Sequence, residues 1–369
     1  MIKQKLATLS LAIALPWGLS SYYASAQQTT NTVTTSKPDA KPSAEKQTFQ
    51  PLKAGQRDRA YESYIIGDYQ QAFKLATERA SKGDATAQTL LGRLYLEGIV
   101  VAQDGARAAL WYSRAAQQGD PQAQLRYGLF LYNGTYVNQD RKKGQEFVRK
   151  SAEAGIPEAY YYYGQMLLGD GTNDRRLDLA LSWFLKGVAK GDADSAYAAS
   201  QILEHGTTTL PRDDVGARKL LELASDKELP DAQIDLAVWL MQGRGGNVDL
   251  KRAFDLLIVN AHRGIILAQL NLARFYRDGY AEKGGIIDAA AWYMAARHEN
   301  GKASDLEDML QSLSNEQLKQ AQQMSLYFIP SLFPPEQKNK IVQKIDQQTK
   351  AETKTKPKPQ KKTSKNTKK

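Results

Sequence analysis

The chain has 369 residues, 42% of them apolar, and carries 50 Lys and Arg against 40 Asp and Glu for a net charge of +10. That length and apolar content can bury a core and exclude wholesale disorder, while the absence of cysteine excludes disulfides, thiol nucleophiles, cysteine-ligated zinc, iron–sulfur clusters and lipoprotein acyl anchors. The basic excess is concentrated at one end: from Glu336 to Lys369 twelve lysines stand against three acids, so the rest is near neutral and lacks the basic folded face of a duplex-reading domain.

Met1-Ile2-Lys3-Gln4-Lys5 is positively charged, Leu6 to Leu19 is apolar, and Ala24-Ser25-Ala26 precedes Gln27. This order predicts a signal peptide over 1–26, cleaved after Ala26. The apolar run falls short of the ~20 residues that span a bilayer, so no transmembrane anchor is expected after cleavage. The expected location is the periplasm, with secretion as the alternative, and a chain without cysteine needs no oxidative folding there. Residues 27–51 are rich in Thr, Ser, Pro and Lys and read as a disordered linker.

Folded sequence is expected from Leu52, and a repeat governs it. Gly83, Gly119, Gly155 and Gly191 recur every 36 residues, and the register continues one residue late through Glu228 to Gly264 and closes at Gly301 with one more extra residue. Four residues after each anchor stands a small side chain, Ala87, Ala123, Ala159, Ser195, Ala232 and Ala268. Five further on stand Gly92, Gly128, Gly164, Ser200, Ala237 and Ala273, and a glycine follows at 98, 134, 171, 206, 243 and 279. Offsets 0, 4, 5, 7 and 8 share one helical face, so each repeat opens with a helix ended by a left-handed glycine. A second helix is marked by a large residue eight before the anchors (Leu75, Trp111, Phe147, Trp183, Leu220 and Leu256), with Trp292 in the last repeat. Asp68, Asp104, Asp140, Asp213 and Asp249 occupy its N-cap, each worth about 1 kcal/mol, with Arg176 and Gly285 as exceptions.

The stretch from Asp104 to Gly134, with Ala108-Ala109-Leu110-Trp111-Tyr112, Ala115-Ala116, Gly119, Ala123, Tyr127-Gly128 and Tyr132-Asn133-Gly134, resembles the Sel-one-like repeat family, relatives of the tetratricopeptide repeat. Ala289 to Ala296 repeats its Trp-Tyr and Ala-Ala elements. The resemblance implies an all-α fold, a right-handed α-solenoid of helix-turn-helix repeats with a 36-residue period over 52–301, built of an N-terminal half-repeat and about six units. It implies a protein that binds protein or cell-wall-associated partners, and no cofactor. Neither helix of a unit buries its face alone, so stacked neighbours complete the core.

Beyond the repeats, Ser304 with Glu307 and Ser314 with Gln317 predict two capping boxes within C-terminal capping helices over 302–348. Residues 349–369 form a Lys-rich disordered tail, whose Lys354, Lys356, Lys358, Lys361, Lys362, Lys365, Lys368 and Lys369 are expected to meet peptidoglycan or another anionic polymer and no specific nucleic acid.

His205, His262 and His298 fall in different repeats without i, i+4 partners, and Gly243-Arg244-Gly245-Gly246-Asn247 lacks the Lys-Ser/Thr of a phosphate loop, so no catalytic or metal site is predicted. The run Tyr160 to Tyr163 covers every side of a helix, so at least one ring should be exposed. Offsets 3 and 6 from the first small residue vary between repeats, as a ligand face would, and are expected on the side away from the core. They supply the candidate partner-binding residues Arg93, Arg126, Tyr162, Gln165, Gln201, Asp235, Asn271 and Arg274. The expected function is a periplasmic interaction scaffold that holds a peptide or protein partner of the envelope on its concave face, with the basic tail contacting anionic envelope polymer, the alternative a cell-wall-directed hydrolase or a regulator of one.

Overall fold

The computed structural model describes residues 57–169 and 174–329, and the expected leader, linker and Lys-rich tail lie outside them, as does Gly171. Among the described residues there are sixteen α-helices, one 3₁₀ turn and no strand. None of these helices is long and apolar enough to cross a membrane. They fall into two compact units that divide between Lys227 and Glu228.

The first unit holds α1 (Arg59–Ile65), α2 (Tyr69–Ser81), α3 (Ala85–Glu97), α4 (Gly105–Gln117), α5 (Pro121–Asn133), α6 (Arg141–Glu153), α7 (Pro157–Gly169), α8 (Asp174–Val188), α9 (Ala193–His205) and α10 (Asp214–Asp226). The second holds α11 (Pro230–Gln242), α12 (Leu250–His262), α13 (Ile266–Arg277), α14 (Ile286–His298), α15 (Ser304–Gln311), α16 (Asn315–Ser325) and a 3₁₀ turn, Leu326–Phe328. Each unit is a solenoid stack of helix pairs in which the odd-numbered helix of a repeat packs on the following even one, and that one on the next odd one. Odd helices also meet each other, as α7 meets α9 and α11 meets α13.

The small residues of the repeat seat large ones. A Cβ placed on Gly164 of α7 would come 2.3 Å from Phe184 Cε1 of α8; one on Gly128 would meet Val148 at 2.8 Å, and one on Gly92 would meet the Tyr112 ring at 3.2 Å. The side chain filling the gap is therefore one residue later than expected. Tyr112, Val148, Phe184, Leu221, Leu257 and Tyr293 are buried to 2% exposure or less; of the expected set Trp111, Trp183 and Leu256 are only half-buried, while Phe147, Leu220 and Trp292 are buried as well. Trp111 and Trp183 lie at the rim under cations, Arg114 4.7 Å and Lys186 4.0 Å from the ring centres.

All five aspartates expected as caps of the even helices accept a backbone N–H there. Asp84, Asp120 and Asp192, each just after an anchor glycine, cap the odd helices α3, α5 and α9 in the same way, a set the sequence reading passed over. Burial pushes the Asp120 and Asp192 carboxyls upward against the lowering effect of those hydrogen bonds. Arg176 is no N-cap, being the third residue of α8.

The anchors are left-handed, from φ +80° at Gly191 to +98° at Gly83. The last one corrects the register. Asn300, exactly 36 residues after Gly264, takes φ +65°, so only one residue is inserted in the whole array, before Glu228 at φ +61°. Gly301 instead donates its N–H to the Ala296 carbonyl and has no room for a Cβ, which would meet that oxygen at 2.7 Å.

The expected box at Ser304 does not form. Ala303 is the N-cap of α15, without a side-chain bond, and Glu307 accepts the Tyr293 hydroxyl at 2.6 Å and pairs with Arg297 at 3.1 Å. The tertiary partners outcompete a local cap because they tie the last repeat to its cover. The Ser314–Gln317 box of α16 does form. Beyond it Phe328 stacks on Trp292, centroids 3.9 Å apart and planes 3° from parallel, with the His262 ring set edgewise. The Phe328 carbonyl accepts from Gln269 Nε2 at 3.4 Å.

Candidate functional site

The candidate stripe does not lie open as expected. Tyr162 is 5% exposed, Gln165 3% and Gln201 4%, and the equivalent Leu90, Leu129 and Ala198 are buried too. The side of an odd helix away from its own partner meets the neighbouring odd helices: Leu125 and Leu129 of α5 share one cluster with Tyr162 and Met166 of α7. Only the longer or polar members reach the surface, and Arg93, Arg126, Asp235, Asn271 and Arg274 are half-buried. The tyrosine run follows the same rule. Tyr160 is 8% exposed, Tyr161 and Tyr163 are half-buried, and none is exposed, because Trp183 and Phe184 pack over them.

In the first unit the half-buried groups form a connected set. Arg93 Nε bonds Glu97 at 2.8 Å, and its guanidinium lies 4.6 Å from the centre of the Tyr64 ring. The Tyr64 hydroxyl donates to the same carboxylate at 2.9 Å, and burial together with that bond pushes its pKa up to about 12. One repeat further on, Arg126 lies within electrostatic reach of two buried tyrosines, Tyr112 of α4 and Tyr162 of α7. Burial raises both hydroxyl pKa values, and the guanidinium opposes the rise at each. Among the described residues Arg126 has no carboxylate or hydrogen-bond partner. Gln165, one turn along from Tyr162, has both its Nε2 and Oε1 buried without a partner. Tyr112 was no sequence candidate. The signal for it is chemical: at the gap-filling position Val148, Phe184, Leu221 and Leu257 are purely apolar, while Tyr112 and Tyr293 carry hydroxyls, that of Tyr293 bonded to Glu307 and that of Tyr112 within electrostatic reach of Arg93 and Arg126.

In the second unit Arg274 is already engaged. It grips Asp305 with two bonds of 2.9 Å, Arg277 adds a third at 2.7 Å, and Asn271 Oδ1 accepts from Arg274 at 3.2 Å. The two guanidiniums hold the Asp305 carboxyl well below the usual range. This cluster clamps α15 onto α13, so Asn271 and Arg274 serve packing of the cover.

The histidines stay apart. His205 Nδ1 lies 2.9 Å from the Gln201 carbonyl, His262 sits among rings, and His298 lies 3.4 Å from Glu299. Among the described residues no three His, Asp or Glu side chains gather as a metal site.

The Sel1 repeat model matches six times, over 85–120, 121–156, 157–192, 193–229, 230–258 and 266–296. The chain is similar in fold to a Sel1 repeat protein from Oxalobacter formigenes at 24% identity and a TM-score of 0.56, covering 64% of this chain and 94% of that one. It is also similar to a protective antigen present in uropathogenic Escherichia coli strains and displaying an SLR fold, at 23% identity and a TM-score of 0.50, covering 83% and 72%. No curated protein sequence matches the chain.

Proposed function

The chain belongs to the Sel1 repeat family, and from that premise we propose that it is an exported scaffold whose odd helices hold a peptide or protein partner while its basic tail contacts an anionic envelope polymer. Sel1 repeat proteins are generally protein–protein interaction scaffolds, and the family and its fold are typically non-enzymatic. The observation that carries the reading is the half-buried guanidinium of Arg126, which has no carboxylate or hydrogen-bond partner among the described residues, whereas the half-buried Arg79, Arg93 and Arg274 are each paired with a carboxylate. Arg and Tyr are the side chains that anchor interfaces, since each joins a large contact area to a directional polar group. No observation favours the wall-directed hydrolase: the three histidines are engaged locally and far apart in sequence.

Export is supported by the three-part leader, and the polymer contact by the nine lysines and one acid between Lys350 and Lys369. The test is affinity capture with the full-length tagged chain from an osmotic-shock fraction of the expressing cells. A stoichiometric protein partner in that fraction is expected, together with sedimentation on wall fragments that weakens steeply between about 50 and 200 mM salt. Recovery of the chain only with the cytoplasmic fraction, or turnover of wall fragments by the purified chain, overturns the reading.

A further inference from the structure

We infer that the seam between the first two even helices, α2 and α4, docks a Phe-x-Pro segment, and that its occupant is the chain's own Phe49-Gln50-Pro51. The last repeat shows such a seam filled. Phe328, which precedes Ile329 and Pro330, stacks on Trp292 of α14 at 3.9 Å, and the His262 ring of α12 stands edgewise 5.0 Å from the indole. Gln269 Nε2 donates to the Phe328 carbonyl at 3.4 Å and to the Ala261 carbonyl at 3.2 Å. The same set stands 181 residues earlier, with Trp111 for Trp292, Gln88 for Gln269 and Ala80 for Ala261. Gln88 Nε2 donates to the Ala80 carbonyl, again at 3.2 Å, and Trp111 packs on the cluster that holds Ala80 of α2 and Ala87 of α3.

Two groups at this first seam call for a partner. Gln88 is 4% exposed; its Oε1 accepts from Gln118 at 2.7 Å and one Nε2 proton goes to Ala80, but the second proton has no acceptor among the described residues, where that of Gln269 meets the Phe328 carbonyl. Phe147 meets the Tyr127 ring at 5.6 Å and Trp183 meets Tyr163 at 4.8 Å, whereas Trp111 meets no ring among the described residues and has only the Arg114 guanidinium, 4.7 Å from its centre. Arg114 is exposed, so an incoming ring displaces it readily, and in the last repeat its place is taken by Ala295. The course of the chain selects the occupant. Asp58, which caps α1, and Asp84, which caps α3, share the Arg79 guanidinium, and Gln88 lies one turn beyond Asp84, so the chain enters α1 close to the seam. Phe49 is the only aromatic residue between Ala26 and Asp58 and repeats the order of Phe328-Ile329-Pro330. The nine residues from Phe49 to Asp58 span up to about 30 Å, and the proline holds the residue before it extended.

The test introduces Phe49→4-fluorophenylalanine into the full chain and reads the fluorine resonance. Over an indole face the label should be shifted upfield of its position in a free peptide of residues 44–54, with the shift lost on Trp111→Leu and kept on Trp183→Leu. Leucine already stands at the equivalent positions 220 and 256, so both variants retain the fold. Arg114→Ala, which copies Ala295, should keep or enlarge the shift. In a second measurement, irradiation of the full chain carrying Phe49→p-benzoylphenylalanine should crosslink position 49 to residues 75–88 or 107–118 in a product of monomer mass. A resonance at the free-peptide position, a shift that survives Trp111→Leu or is lost with Arg114→Ala, or no crosslink to those residues overturns the inference. Crosslinks confined to the exposed Tyr61 and Ile65 of α1, or joining two chains, overturn it too, the first giving the segment to α1 and the second to another copy. No partner takes part in either measurement, so the outcome leaves the scaffold reading untouched.

Discussion

The two units use one repeat and hold it together differently. In the first, the devices are local and recur: left-handed glycines at the anchors, aspartates capping both helices of a pair, and a glycine on one helix seating a large side chain of the next. In the second, Glu228 and Asn300 occupy left-handed positions, Leu229 and Ile265 begin helices without a side-chain cap, and the seats are Ala237 and Ala273. What the second unit lacks in local signals it makes up with contacts specific to its end: the Trp292–Phe328 stack, the Tyr293–Glu307 bond and the Arg274–Asp305–Arg277 cluster. An inner repeat has a neighbour on each side to complete its core, whereas a terminal repeat must be closed by something that is not a repeat.

The largest expected effect breaks the local device of the first unit. Phe184→Ala should cost about 3–5 kcal/mol by denaturant unfolding, and Trp183→Ala about half as much, because the indole is half-buried at the rim. Equal costs would mean that the tryptophan fills the gap after all. Next comes the cover of the second unit. Phe328→Ala should cost about 2 kcal/mol from lost burial and stacking. Its signature is faster hydrogen exchange in α12 to α14 with α3 to α8 unchanged, and uniform acceleration throughout would refute a locally acting cover.

A reciprocal pair sharpens the comparison further. Gly119→Ala, at φ +95°, should destabilise by about 1–2 kcal/mol, whereas Glu228→Gly, at φ +61°, should stabilise by up to about 1 kcal/mol. Thermal unfolding of the two variants checks the sign of each. The smallest effect is electrostatic. The Asp305 carboxyl is held down by two guanidiniums, so its contribution is complete above an ordinary aspartate pKa of about 4 and is lost as pH falls below that value. With the carboxylate side chain 41% exposed, Asp305→Asn should cost no more than about 1 kcal/mol at pH 7. The gap between the two chains should narrow progressively as pH falls below about 4 and close only below about pH 2, and a gap that widens on acidification would contradict the sign.

Much of the candidate site escaped a reading of the residues, and the reason is geometric. Variation between repeats singled out Arg126, Tyr162 and Gln165, and the structure packs Tyr162 of α7 with Leu125 and Leu129 of α5, but periodicity assigns a residue only to a face of its own helix. It does not say whether a second helix covers that face, which is why Tyr162, Gln165 and Gln201 were expected in the open and are buried. Tyr112 belongs to the even helix before, so its place beside Arg126 depends on the packing of α4 against α5.

Spacing alone determined the helix pairs, their period, the aspartate caps and the left-handed anchors, because each depends on residues within a turn or two of one another and on the φ that a glycine permits. Tertiary structure decided the rest: which residue of Trp183-Phe184 enters the core, that Asn300 and not Gly301 continues the register, that Glu307 serves Tyr293 and not Ser304, and that residue 328 closes on residues 262, 269 and 292. Those outcomes are competitions between partners distant in the chain, settled by which fills space and pairs polar groups at once, and no local pattern records the losing candidates.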